Sequence, residues 1–98
     1  MQPLTPRPIK QQITYGQLPL AVYREIVAHL RQIDGVSAVL IAYSSEDEQK
    51  QQFDYAQSQI KGLSIEYSDN LDTRNKQRIA EIIDYYAQRY YPWQKLDS

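Results

Sequence analysis

Few residues of this sequence could carry out chemistry. The 98 residues include no cysteine and one histidine, His29. Disulfides, thiolate nucleophiles, iron–sulfur clusters and cysteine zinc sites are therefore excluded, as is any site that needs two imidazoles. Histidine is the residue type whose unperturbed side chain changes charge near neutral pH, and His29 is the single histidine of the sequence. His29 lies at the border of the apolar stripe of the predicted first helix, and Glu25 precedes it by four residues. We therefore expect His29 to be hydrogen-bonded to Glu25 rather than to act as a catalytic base.

Carboxylates cluster in two places, at Glu46, Asp47 and Glu48 and again at Asp69 and Asp72. The first cluster lacks the alternating oxygen ligands and the sharp glycine turn of a calcium loop. The second is better placed at the start of a helix, where acids meet the positive end of the helix dipole. The three glycines stand alone, each explained by a turn, and none belongs to a phosphate-binding loop. The sequence therefore predicts no catalytic residue, no metal and no cofactor.

A strip of basic and aromatic side chains is predicted along the last helix. At roughly 100° per residue, four of them share an arc of about 60°: Arg74, Arg78, Tyr85 and Arg89. A strip of this kind could contact phosphates and stack on bases, as in weak nucleic-acid-binding proteins. Glu81 lies in the same arc and could pair with Arg78, in which case the strip is a salt-bridged solvent face.

Five large aromatic side chains crowd together at the end of this helix: Tyr85, Tyr86, Tyr90, Tyr91 and Trp93. Tyr86 and Tyr90 share the apolar stripe of the helix, whereas Tyr85 and Tyr91 cannot face the same way. Tyrosine, tryptophan and arginine dominate binding hot spots because each combines a large contact area with a polar group. Two interpretations stay open. Tyr91 and Trp93 either complete the core or belong, with Tyr85 and Arg89, to an exposed interaction surface.

Two helices are predicted to position these residues. Apolar side chains at spacings of three and four indicate a first helix over about residues 19–33 and a second over about residues 72–90. Asp69, Asp72 or Thr73 can cap the second helix.

The predicted strands lie mainly between the two helices. Gly35 is placed to close the first helix, and residues 36–43, which are apolar on both faces, predict a central strand. Alternating apolar side chains over residues 63–67 predict a half-buried strand. Residues 46–60 fit either a capped helix or an extended segment that runs into a turn at Lys61 and Gly62, and the extended form is favoured.

The predicted fold class is α+β, a two-layer sandwich in which both helices cover one face of a small antiparallel sheet of two to four strands. Residues 18–93 are predicted to form a single domain. The proline-rich residues 1–17 are predicted to be an extended, partly disordered N-terminal arm, in which residues 13–15 could add a short edge strand. Residues 94–98 are predicted to be a flexible tail.

Three parts of the chain resemble small uncharacterised proteins from cyanobacteria. These parts are Leu18–Glu25, Phe53–Tyr55 with Ser58–Ile60, and Tyr85–Tyr86. The resemblance covers roughly residues 18–93. It implies a cytoplasmic bacterial protein without assigned activity, and it supplies no catalytic residue.

The sequence favours a small non-enzymatic module for protein interaction or regulation. Its predicted contact residues are Tyr85, Arg89, Tyr91 and Trp93, and its partner would be another protein or a second copy of the chain. Weak nucleic-acid binding through the basic strip of the last helix is the alternative. The absence of cysteine favours a reducing cytoplasm. Neither a signal peptide nor a membrane-spanning run is predicted.

Overall fold

The fold consists of two helices packed on one sheet. The computed structural model describes residues 6–16, 18–42 and 60–96. The helices are α1 (Leu20–Arg31) and α2 (Thr73–Arg89). The strands are β1 (Pro8–Thr14), β2 (Val36–Ala42), β3 (Ile60–Ser68) and β4 (Gln94–Lys95). They form one antiparallel sheet in the order β2-β3-β1-β4. The predicted α+β class is confirmed.

Several predictions concern residues outside these ranges. The choice between helix and extended chain over residues 46–59 lies there, together with the acidic cluster of Glu46, Asp47 and Glu48. Residues 1–5 of the predicted arm and residues 97–98 of the predicted tail also lie outside the described residues.

Both helices begin and end within two residues of their predicted bounds. The side chain of Asp72 caps α2, because its Oδ1 accepts a hydrogen bond from the backbone N–H of Arg74 at 3.0 Å. Gly35 follows α1 with a φ of 84°, in the left-handed conformation predicted for it.

The core lies between the helices and the sheet. Both predicted apolar stripes point into it, and three strands supply its opposite wall. The buried side chains of the elements are Tyr23, Ile26, Val27 and Leu30 from α1, Ile79, Ile82, Ile83 and Tyr86 from α2, and Ile13, Ala38, Leu63 and Ile65 from the sheet. Removal of these apolar surfaces from water is the main stabilising contribution.

The structure differs from the predicted division of the chain at both ends. Residues 8–14 were predicted to belong to the arm, but they form β1, which pairs with β3 on one side and with β4 on the other. Ile13 is fully buried, so the core extends into this segment. Pro8 is accommodated because it is the first residue of the strand. Residues 94–95 of the predicted tail form β4.

Two further predictions about the sheet are corrected. β2 was predicted to be central, but it is the outermost described strand on its side of the sheet, and Val39 is 51% exposed. Apolar side chains on both faces of a strand indicate that both faces are covered. They do not indicate the position of the strand in the sheet, which depends on the other strands. Lys61 and Gly62 form no turn. They lie within β3, where Gly62 pairs with Ile41.

Tyr15 joins the end of β1 to α2. Its side chain is 2% exposed, and its hydroxyl donates a 2.6 Å hydrogen bond to the carbonyl oxygen of Ile83. Burial, followed by the negative charge of Asp84, raises the pKa of the Tyr15 hydroxyl far above its usual value. The folded protein therefore keeps this phenol neutral.

We expect the stability contributed by neutral Tyr15 to be lost in alkaline solution. Below about pH 10 the phenol is neutral in both the folded and the unfolded chain. Above that pH only the unfolded chain loses the proton, which lowers the free energy of unfolding by at most about 1.4 kcal/mol per pH unit. In urea denaturation at about pH 9 and about pH 11, Tyr15→Phe should lose less stability than the wild type. Equal losses would contradict this prediction.

Candidate functional site

The basic and aromatic strip lies on the solvent side of α2. All four of its side chains are exposed, as the helical spacing predicts: Arg74, Arg78, Tyr85 and Arg89. The pairing considered for Arg78 and Glu81 is absent, because these two residues form no ion pair within 4.0 Å in the described part of the chain. The strip therefore presents its positive charges to solvent.

The structure divides the C-terminal aromatic residues into two groups. Tyr86 is buried, Tyr90 is half-buried, and their rings stack with centroids 6.4 Å apart. Tyr85 is 53% exposed and Tyr91 is 59% exposed. Trp93 is half-buried against the core. The helical wheel correctly predicted that Tyr85 and Tyr91 do not face the same way as Tyr86 and Tyr90.

Trp93 is held in place by α2. Its indole Nε1 donates a hydrogen bond to Oδ1 of Asp84 at 3.0 Å. The chain leaves α2 at Tyr90 and returns toward the sheet through β4, which places the indole against the partly buried end of the core. Of the two open interpretations, the core one therefore describes Trp93, whereas Tyr91 lies at the surface.

We call Tyr85, Arg89 and Tyr91 the tyrosine–arginine surface. Tyr85 meets the buried Tyr86 edge to face, with ring centroids 5.1 Å apart. The guanidinium carbon of Arg89 lies 5.8 Å from the ring centroid of Tyr90, within the range of a cation–π contact. Tyr86 and Tyr90 thus pack against the exposed side chains of Tyr85 and Arg89. A side chain that is already held in place loses less conformational entropy when it binds a partner.

A shallow groove of about 440 Å³ separates α1 from this surface. It is lined by Glu25, Ala28, His29, Gln32, Tyr85 and Tyr86. The predicted pair of His29 and Glu25 is replaced by contacts through Tyr86. Nδ1 of His29 lies 3.4 Å from the Tyr86 hydroxyl, and the two rings meet edge to face.

Tyr86 of α2 interacts with two side chains of α1, those of His29 and Glu25. Burial, followed by the negative charge of Glu25, raises the pKa of the Tyr86 hydroxyl. Sequence reasoning missed this link because Tyr86 lies 57 residues from His29.

Membrane and metal features were sought in the described ranges, 6–16, 18–42 and 60–96. Neither helix there is long and apolar enough to cross a membrane. The same ranges contain no group of three or more histidine, aspartate or glutamate side chains that could hold a metal ion.

Similarity to known proteins adds nothing to this geometry. The resemblance to cyanobacterial proteins stays a prediction, because no matching protein supports or contradicts it. No protein-family model, no curated protein and no solved structure matches this chain.

Proposed function

We propose that the chain is a small protein-interaction or regulatory module without enzymatic activity, which binds a protein partner or a second copy through the tyrosine–arginine surface. The exposure of Tyr85, Arg89 and Tyr91 at the C-terminal end of α2 and just after it carries the proposal. Large aromatic side chains that stay half-exposed in a small domain are typical of binding hot spots. Trp93, which the sequence also predicts as a contact, is half-buried and hydrogen-bonded to Asp84, so it offers less surface to a partner than Tyr85 or Tyr91.

The proposal includes a cytoplasmic and bacterial setting. The absence of cysteine supports a reducing compartment. The bacterial origin has only the sequence resemblance in its support.

Weak nucleic-acid binding is the second candidate function. It is favoured by the exposure of Arg74 and Arg78, which form no ion pair within 4.0 Å in the described part of the chain. Phosphate contacts by such side chains would make binding strongly dependent on salt. The two functions share Tyr85 and Arg89, so the residues that separate them are Tyr91 on one side and Arg74 with Arg78 on the other.

A matched pair of variants tests the proposal. In affinity capture from cells that naturally make the protein, Tyr91→Ser combined with Tyr85→Ser should reduce recovery of a specific protein partner at least about tenfold. Arg74→Gln combined with Arg78→Gln should leave it unchanged. All four residues are exposed, so both variants should keep the wild-type circular dichroism spectrum. Sedimentation velocity of the same proteins tests the second-copy form of the proposal.

The opposite pattern would support the alternative. If the arginine variant lost a bound nucleic acid, if that binding fell steeply with added salt, and if the tyrosine variant kept all its protein partners, the proposed function would be wrong.

A further inference from the structure

The outer edge of β2 carries backbone hydrogen-bonding groups, those of Leu40, that pair with no described residue. In an antiparallel sheet, successive residues direct their N–H and C=O groups to opposite edges of the strand. Asp69 donates its N–H to the carbonyl of Arg7, so Ile65 and Leu63, at even spacing before Asp69, also face β1. Ser64 therefore faces β2, where it pairs with Val39.

The residues on either side of Val39 must then face outward. Two hydrogen bonds agree with this assignment, because Arg31 Nε donates to the carbonyl of Ala38 at 2.8 Å and Val36 donates its N–H to Ile33. Leu40 is the next outward residue. In the described part of the chain nothing pairs with its N–H or its C=O.

This edge lacks the features that block pairing with another strand. Proline and lysine on an edge strand discourage such pairing. The first part of β1, which no described strand pairs with on the side of β4, has both, with Pro8 and Lys10. Residues 37–42 of β2 contain neither charge nor proline, and Val39 is half-exposed. An additional strand is therefore better accommodated beside β2.

A basic groove next to Leu40 indicates which strand would fit. The groove has a volume of about 390 Å³ and is lined by Arg24, Val27, Ala28, Arg31 and Leu40. Its two arginines form no ion pair within 4.0 Å in the described residues, and no acid is among the described residues that line the groove. A residue directly opposite Leu40 on an added strand projects from the same face of the sheet. Its side chain would enter this groove.

We propose that the outer edge of β2 binds an extended acidic segment of a partner protein as an additional strand. Backbone groups of Leu40 would hold the segment, and a carboxylate opposite Leu40 would meet Arg24 and Arg31. A second copy fits less well, because pairing β2 with itself would bring two such grooves together, each with two arginines and no acid. This site is separate from the tyrosine–arginine surface, so evidence against one of the two sites would not be evidence against the other.

The probe is the peptide acetyl-Thr-Val-Glu-Val-Thr-amide, which places glutamate opposite Leu40 and valines opposite Val39 and Ile41. In a titration followed by amide chemical shifts of the full chain, Ala38, Leu40 and Ala42 should shift most. Replacing the glutamate by glutamine should weaken binding about fivefold. Methylating the glutamate nitrogen should weaken it further, because the bond to the Leu40 carbonyl is lost.

The variant Arg24→Gln supplies the matched control. Arg24 is exposed, so its replacement should not disturb folding. The preference for the glutamate peptide over the glutamine peptide should shrink in this variant, because only Arg31 is left to meet the carboxylate. Equal binding of both peptides to the wild type, or no shift at millimolar peptide, would overturn the proposal.

Two other occupants would give distinct results. Concentration-dependent shifts of the same amides without peptide would assign the edge to a second copy. If the peptide bound only after Glu46, Asp47 and Glu48 were changed to their amides, the acidic segment of the chain itself would be the occupant. Either result would overturn the assignment to a partner protein.

Discussion

Gly62→Ala is expected to lower the free energy of unfolding by about 3 kcal/mol. Gly62 lies inside β3, beside Ile13 of the neighbouring strand β1 and close to Leu96, which follows β4. A Cβ atom at this position would collide with the carbonyl oxygen of Ile13 and would lie 2.7 Å from Cδ1 of Leu96. The leucine side chain can move aside. The Ile13 carbonyl belongs to the backbone of β1, so relief would require β1 to shift against β3.

Urea denaturation measures this effect, and Gly16→Ala is the matched control. Gly16 has a φ of 80°, but no atom lies within 4 Å of its added Cβ. Its replacement should therefore cost only the strain of a left-handed residue, about 1 kcal/mol. The two glycines differ in the reason they are needed, crowding at residue 62 and conformation at residue 16. Equal costs for the two variants would show that the close approach of β1 is wrong.

Tyr23→Phe is expected to lower the free energy of unfolding by about 2 kcal/mol although it removes a single oxygen atom. Tyr23 is fully buried. Its hydroxyl accepts a hydrogen bond from the backbone N–H of Tyr15 at 3.1 Å and donates one to the carbonyl of Gly16 at 2.7 Å. Gly16 is exposed, so water can replace the second bond. The buried N–H of Tyr15 would be left unpaired, and that group accounts for most of the cost.

The control for Tyr23→Phe is the same change at Tyr91. The hydroxyl of Tyr91 belongs to a side chain that is 59% exposed, so the substitution should change stability by less than about 0.5 kcal/mol. Hydrogen exchange adds a second readout, since the amide of Tyr15 should lose protection in the Tyr23 variant. Full protection of that amide would mean that the Tyr23 hydroxyl does not hold the end of β1.

Local patterns predicted the helices well. Ile26 and Leu30 lie on one side of α1, and Ile79 and Tyr86 lie on one side of α2, because residues three, four or seven apart share a face of any α-helix. Asp72 was among the three residues predicted to cap α2, because capping depends on the neighbouring backbone. The alternation of Leu63 and Ile65 in β3 has the same local origin. All six of these core side chains, four on the helices and two on β3, are buried.

Strand order could not be predicted in the same way. β1 and β4 join the sheet through residues far apart in the chain, such as Ile13 with Leu63 and Ile13 with Lys95. The proline-rich composition around β1 indicates an extended chain, and the strand is extended. Whether such a segment hydrogen-bonds to a sheet depends on a partner that composition does not reveal. Gly62 was assigned to a turn for a similar reason, since crowding by β1 leaves no local mark.

The candidate site also combines features that local patterns predicted with features that they could not predict. The helical wheel separated Tyr85 from Tyr86 and placed the basic strip on the outside of α2. It could not predict that Trp93 returns to Asp84, because the bond closes a loop after the helix has ended. The contact of His29 with Tyr86 and the basic groove beside Leu40 each join separate elements. They were visible only once α1 was packed against α2 and β2.

Composition and local periodicity, by themselves, determined that this chain lacks cysteine chemistry, folds as two helices over a small sheet and concentrates tyrosine at the end of α2. These features depend on residue type and on spacings of two, three and four positions. Tertiary structure alone decided that Trp93 packs against the core, where β1 and β4 pair and that β2 lies outermost on its side among the described strands. Each of these depends on contacts between residues distant in the chain, whose energies are set by packing geometry rather than by neighbouring sequence.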